Sequence, residues 1–294
     1  MASFSARQSL RFWTPERMRR AQPVEVPAGG RAAFTPLPGA EAATAAPRRV
    51  PALAPRLGAS ASSGFEAVTD PTATETRQNG AIFFEAEGGL FRCSGTSVSA
   101  PNFSVVITAG HCVDSGGRRG HGYAGHWIFV PGYRYEQRPF GVFAATWLEA
   151  TRGWIATGSE NFDVGAAVVG RNEKGQRLAD AVGAAGIAFN LKPNQVFDVH
   201  GYPAGAPFDG ETQRICAQTP FLGHDPESFF TSGPLNLAVD CNVTGGASGG
   251  GWTIAGNLLN SVTDYGFPDD KATDFGAYFG KEVARLYRRA GSVK

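Results

Sequence analysis

A histidine, an aspartate and a serine, in that chain order, carry the sharpest chemistry in this 294-residue sequence. They are His111 in Thr108-Ala109-Gly110-His111-Cys112, Asp163 in Asn161-Phe162-Asp163-Val164-Gly165-Ala166, and Ser248 in Gly245-Gly246-Ala247-Ser248-Gly249-Gly250. Each is commonplace by itself: a structural histidine, a turn aspartate, a glycine-rich loop. Together they match what amide hydrolysis needs. A serine hydroxyl is a weak nucleophile unless an imidazole takes its proton during attack. With an unperturbed pKa of about 6.5, His111 can serve as base and then as acid. Asp163 would hold its tautomer, and the glycines let the amides of Gly246 and Ser248 point at a developing oxyanion. Asp114 is the rival carboxylate, but it lies in the turn DSGGRRG, whereas Asp163 leads into an apolar strand that can fix it.

The elements that must position these residues are short and strand-like. From about Gly80 the chain runs AIFFEA, LFRCSGTSV, SVVITAG, HWIFV, VFAATWLEA, DVGAAVV, GIAFNL, VFDVHGY, LNLAVD and NLLNSVT, punctuated by Gly, Pro, Asn and Asp. Many short strands at this spacing predict an all-β sandwich or barrel. One helix is expected at the C-terminal end, where Phe279, Val283, Leu286 and Tyr287 share a face.

Composition narrows the partners. A formal charge of +1, from 27 basic and 26 acidic side chains, gives no field suited to a nucleic acid or a bilayer surface, and neither is expected as a partner. No stretch is solidly apolar over a membrane-spanning length. The average hides a split: the first 64 residues hold 9 Arg and 3 Glu, a net of +6, and the rest carry −5. Residues 20 to 64 are rich in Ala, Pro, Gly and Ser and read as a largely irregular leader. Ahead of it Thr14-Pro15-Glu16 is a helix start. The arginine pairs at 19–20 and 48–49 read as exposed charge or processing sites. The first residues show no apolar run of about 7 to 15, so no secretory signal is visible.

The segments TAGHC, DVGAAVV and GGASGG resemble the trypsin-like serine endopeptidases. The likeness is closest to their secreted bacterial branch, which includes glutamyl endopeptidases and actinobacterial trypsin-like enzymes. Trp13 to Met18, Ile128 to Arg134, Gly186 to Asn190 and Asn260 to Val262 are similar to phrases of that branch. The resemblance covers roughly residues 80 to 280. It implies two antiparallel six-stranded barrels, a peptide or protein substrate bound between them, and no cofactor or metal. It also implies residues 1–79 as a propeptide, itself a partner of the domain 80–294, a monomer, and a secreted location. The competing expectation is a binding protein that keeps the fold without turnover.

Three positions depart from the family. Ala247 stands where the animal enzymes carry the Asp that captures a freed N-terminus, so that activation switch is absent. Gly251 replaces a common Pro. Asn242 occupies the position of the acid that selects Arg and Lys in trypsin. The pocket walls are expected from Asn242 to Gly245 and from Val262, Thr263, Asp264 and Gly266, with a lean toward uncharged P1 side chains. Cys93, Cys112, Cys216 and Cys241 allow three pairings; the resemblance implies Cys93–Cys112 beside the histidine and Cys216–Cys241. Disulfides point to an oxidising compartment. His121, His126, His200 and His224 fall in no metal-ligand spacing.

Overall fold

The computed structural model describes residues 5–24, 45–54, 74–117, 122–267 and 270–294. Two closed six-stranded antiparallel barrels make up its body. Ahead of them come helices α1 (Ala6–Phe12) and α2 (Pro15–Arg20), short strands β1 (Gln22–Pro23) and β2 (Arg48–Val50), and α3 (Thr74–Gln78). The first barrel is β3 (Asn79–Ala86), β4 (Gly89–Val98), β5 (Val105–Thr108), β6 (Gly125–Pro131), β7 (Phe143–Ala150) and β8 (Gly165–Val169), closed where β4 meets β5. Helix α4 (Arg152–Thr157) lies between β7 and β8. Helix α5 (Leu178–Val182) and strand β9 (Gly186–Phe189) then lead to the second barrel. That barrel is β10 (Val196–Gly201), β11 (Arg214–His224), β12 (Leu237–Asp240), β13 (Gly251–Ile254), β14 (Leu258–Phe267) and β15 (Asp270–Gly276), closed by β13 on β14. Helix α6 (Lys281–Ser292) ends the chain.

Each barrel is filled by the inward residues of its strands. Ile82, Trp127, Phe129 and Phe143 fill the first, and Phe197, Val199, Leu237 and Trp252 the second. A third cluster joins Ile107 and Val164 of one barrel to Leu259 and Val262 of the other, and α6 adds Val283, Leu286 and Tyr287 to it. The expected C-terminal helix is therefore what covers the seam, and its Tyr287 hydroxyl donates to the Ser99 carbonyl at 2.7 Å.

The described part of the N-terminal segment is helical and docked. Ser5 and Gln8 form a capping box on α1, and Thr14 caps α2 with Pro15 in its first turn, as the sequence predicts. Trp13 and Met18 are buried against Phe83, Ile128 and Tyr133 of the first barrel. Burying side chains of this size contributes about 1.5–3 kcal/mol each, enough to seat two helices too short to be stable alone. Strand β1 adds to β4 in parallel, and β2 pairs with β9. Most of 20–64, including 25–44 and 55–64, lies outside the described residues. Strands β1, β2, β11, β13 and β15 and helices α1, α3, α4 and α5 were not foreseen. Each helix is five to seven residues long, too short for a 3.6-residue periodicity to show.

Candidate active site

The register between β5 and β8 sets His111 against Asp163. Thr108 pairs with Gly165, so the turn leaving β5 lies beside the turn entering β8. His111 sits on the first of these, a 3-10 turn over Gly110–Cys112, and Asp163 ends the second, over Glu160–Phe162. Asp163 is completely buried. Its Oδ1 accepts the His111 amide at 2.8 Å, and its Oδ2 is 2.6 Å from His111 Nδ1. Nδ1 therefore carries the proton, and Nε2 is the free acceptor of the neutral ring. A Cβ on Gly110 would stand 2.6 Å from Asp163 Oδ1, so this close approach requires glycine. Trp154 meets the imidazole edge-on at 6.2 Å and donates to the Asp114 carbonyl. The Asp114 carboxylate accepts the Gly116 amide in its own turn, which leaves Asp163 as the partner of the ring.

Ser248 lies in the loop between β12 and β13. Its carbonyl accepts the Ser94 amide at 2.8 Å and lies 3.7 Å from Cys112 Sγ, which places the serine beside the residue after His111. The amides of Ala247, Gly249 and Gly250 donate to Thr244, Thr263 and Ala247. Among the described residues those of Gly246 and Ser248 donate to no backbone carbonyl. Gly246 and Gly249 have φ of +95° and +79°, and a Cβ on Gly249 would fall 2.0 Å from Thr108 Oγ1. Gly251 also has a packing reason: a Cβ there would meet Thr96 Oγ1 at 2.3 Å. His111 Nε2 is buried with no hydrogen-bond partner, so the Ser248 hydroxyl does not close onto it in this conformation.

A cavity of about 550 Å³ opens from Ser248. Asn242, Thr263, Asp264 and Gly266 line it, joined by Asp274 of β15. Val262 instead faces the cluster between the barrels, because neighbouring strand residues point to opposite faces. Asp274 escaped the sequence reading because β15 was not recognised as a strand. Its Oδ2 accepts the Thr263 hydroxyl at 2.7 Å, and the Trp252 indole donates to the same hydroxyl at 2.9 Å. Burial pushes the Asp274 carboxyl well above the usual range. Asp264 is pushed the same way by burial first and then by the charges of Asp163, Asp274 and Glu160. Val24, which follows β1, lines the same cavity.

The cysteines pair as Cys93–Cys112 and Cys216–Cys241. Among the described residues one cluster, Cys93, His111 and Cys112, brings metal-ligand atom types within 4.8 Å, but both sulfurs are spent in the disulfide. His200 is buried between Gln213 and Thr253, and burial lowers its pKa to about 4, so it is a neutral structural group. His126 stacks on Phe12 of the leader, and His224 Nδ1 lies 3.2 Å from the Asn236 carbonyl. His121 lies outside the described residues.

The fold recurs in solved structures. The chain is 36% identical to the protease Anisep from Arthrobacter nicotinovorans, with a TM-score of 0.68, covering 76% of this chain and 99% of that one. The chain belongs to the trypsin-like serine proteases. A thermostable serine protease, AL20, from an extremophilic microorganism is 33% identical over 75% of this chain and 100% of its own, with a TM-score of 0.69. A Glu endopeptidase shares the fold at 16% identity and a TM-score of 0.58. No family model matches. A curated relative, an extracellular metalloprotease of Bacillus subtilis, is 36% identical over 85 residues, 29% of this chain and 25% of its own length. The chain thus spans about a quarter of that relative. Among the described residues no helix is long and apolar enough to cross a membrane.

Proposed function

We propose that this trypsin-like protease is a secreted serine endopeptidase that works through an acyl-enzyme. His111 Nε2 takes the Ser248 proton as Oγ bonds to the scissile carbonyl carbon. Asp163 stabilises the imidazolium, and the amides of Gly246 and Ser248 receive the oxyanion. The C–N bond breaks as His111 passes its proton to the leaving amine, and water then releases the acyl group by the same path in reverse. The observation that carries this reading is the doubly bonded Asp163–His111 pair beside the Ser248 loop.

Residues 1–79 form a propeptide in this reading, with 80–294 the catalytic domain. Supporting it, the leader runs over the first barrel and delivers Val24 to the cavity at Ser248. In this reading it acts as a monomer on peptide or protein chains. A second reading, a silent binding protein on the same fold, draws on the unpartnered His111 Nε2. Fluorophosphonate labelling decides between them. A single adduct on Ser248, abolished in Ser248→Ala and His111→Ala, is the expected result. A folded chain that takes no label would favour the binding protein.

A further inference from the structure

We propose that Asp274 selects the substrate's P1 side chain and that it selects lysine or arginine, an inference that rests on the peptidase reading above. The Asp274 carboxylate is wholly buried at the cavity that opens from Ser248. Trp252 holds the Thr263 hydroxyl, and Thr263 holds Oδ2, so the carboxylate is fixed from behind. Oδ1 has no partner of normal hydrogen-bond geometry. A buried carboxylate oxygen without a well-placed donor is costly, and Asp274 lines the cavity. A ligand donor is the missing partner.

The rest of the lining agrees in sign. Among the described residues the cavity wall carries Asp264, Asp270 and Asp274 and no Lys, Arg or His. Asp270 is engaged by the Ala272 amide and the Thr273 hydroxyl, whereas neither oxygen of Asp264 has a partner of normal geometry. Thr263 and Asp264 both line the cavity, where the pairing of β14 with β15 shifts register. Thr263 faces Asp274, and Asp264 lines the same cavity. An acidic P1 side chain is repelled here. An apolar one leaves Asp274 Oδ1 unsatisfied. A long side chain ending in an ammonium or guanidinium satisfies it with a charge-assisted bond. Asn242, at the position that is acidic in trypsin, is neutral, so the anionic group reaches the cavity from β15 instead. The preference thus departs from the uncharged P1 expected from Asn242.

The test uses the full chain. Fluorophosphonate labelling first counts reactive Ser248. Values of kcat/KM follow on peptides differing only at P1, with Lys, Arg, Ala, Phe and Glu compared. Benzamidine binding is measured by calorimetry on Ser248→Ala, where turnover plays no part. Lys or Arg is expected to exceed Phe by about 100-fold, and that ratio and benzamidine affinity should each fall about 100-fold with Asp274→Asn or Asp274→Ser. Circular dichroism checks that at least one variant folds. A labelled enzyme that prefers Ala, Phe or Glu, or benzamidine binding that ignores both substitutions, overturns the proposal. Benzamidine binding that depends on Asp274 in a chain that takes no label would leave it standing and remove the peptidase reading instead.

Discussion

Asp163 grips both the His111 ring and the His111 backbone amide, so one carboxylate sets the position of the turn and the tautomer of the base together. Replacing it with Asn keeps the shape but presents an amide group that cannot accept at both places. We expect Asp163→Asn to lower kcat by about 10⁴-fold with KM little changed, read by steady-state kinetics. A loss carried mainly by KM would assign Asp163 to substrate binding. His111, Asp163 and Ser248 were legible because the chemistry needs those residue types in glycine-bounded or strand-leading contexts, and local sequence preserves such contexts. Asp274 was not. Its neighbours Thr273 and Phe275 carry no motif, and its importance comes from Thr263 and Trp252, which only strand pairing brings to it.

At the scale of elements, the N-terminal helices dock on the first barrel, and Val24 just beyond them reaches the cavity wall. Helix α2 is anchored by Met18, and its carbonyl at Met18 accepts from the buried Arg92 guanidinium, which also pairs with Glu211. Met18→Ala should weaken this docking by about 2–5 kcal/mol. If the leader restrains access past Val24, the variant chain is expected to label with fluorophosphonate faster than the wild type. An unchanged rate beside a lowered melting temperature would make the leader a structural part alone. The Thr14-Pro15 start of α2 was readable, because capping is a local interaction. The docking of Trp13 and Met18 was not, since isolated apolar residues in a polar stretch do not reveal which surface receives them.

For the molecule as a whole, buried ionisable groups set how stability varies with pH. In the unfolded chain the Asp274 carboxyl loses its proton near the ordinary value of 3.8, while in the native state burial holds the proton to higher pH. Above that ordinary value the unfolded state binds fewer protons, so stability falls as pH rises through the window up to the raised native value. Asp274→Asn has no such titration. Its melting temperature should gain on the wild type from pH 4 toward pH 8, by about 2–4 °C for each kcal/mol. A gap that stays constant would contradict the raised native value. His200 acts in the opposite direction: lowered to about 4, it withdraws stability as pH falls from its ordinary 6.5. The comparison is therefore made between variant and wild type.

The sequence by itself determined the strand-rich character, the closing helix and the three residues of the proposed triad, because period, turn chemistry and local motif are written along the chain. Tertiary structure alone decided which face each strand residue shows and where the leader rests. Val262 turns into the core and Thr263 toward the cavity. Asp274, 26 positions after Ser248, becomes part of the same site. Barrel closure is the physical reason: it pairs β14 with β15 and β13 with β14, and that register converts distant positions into neighbours.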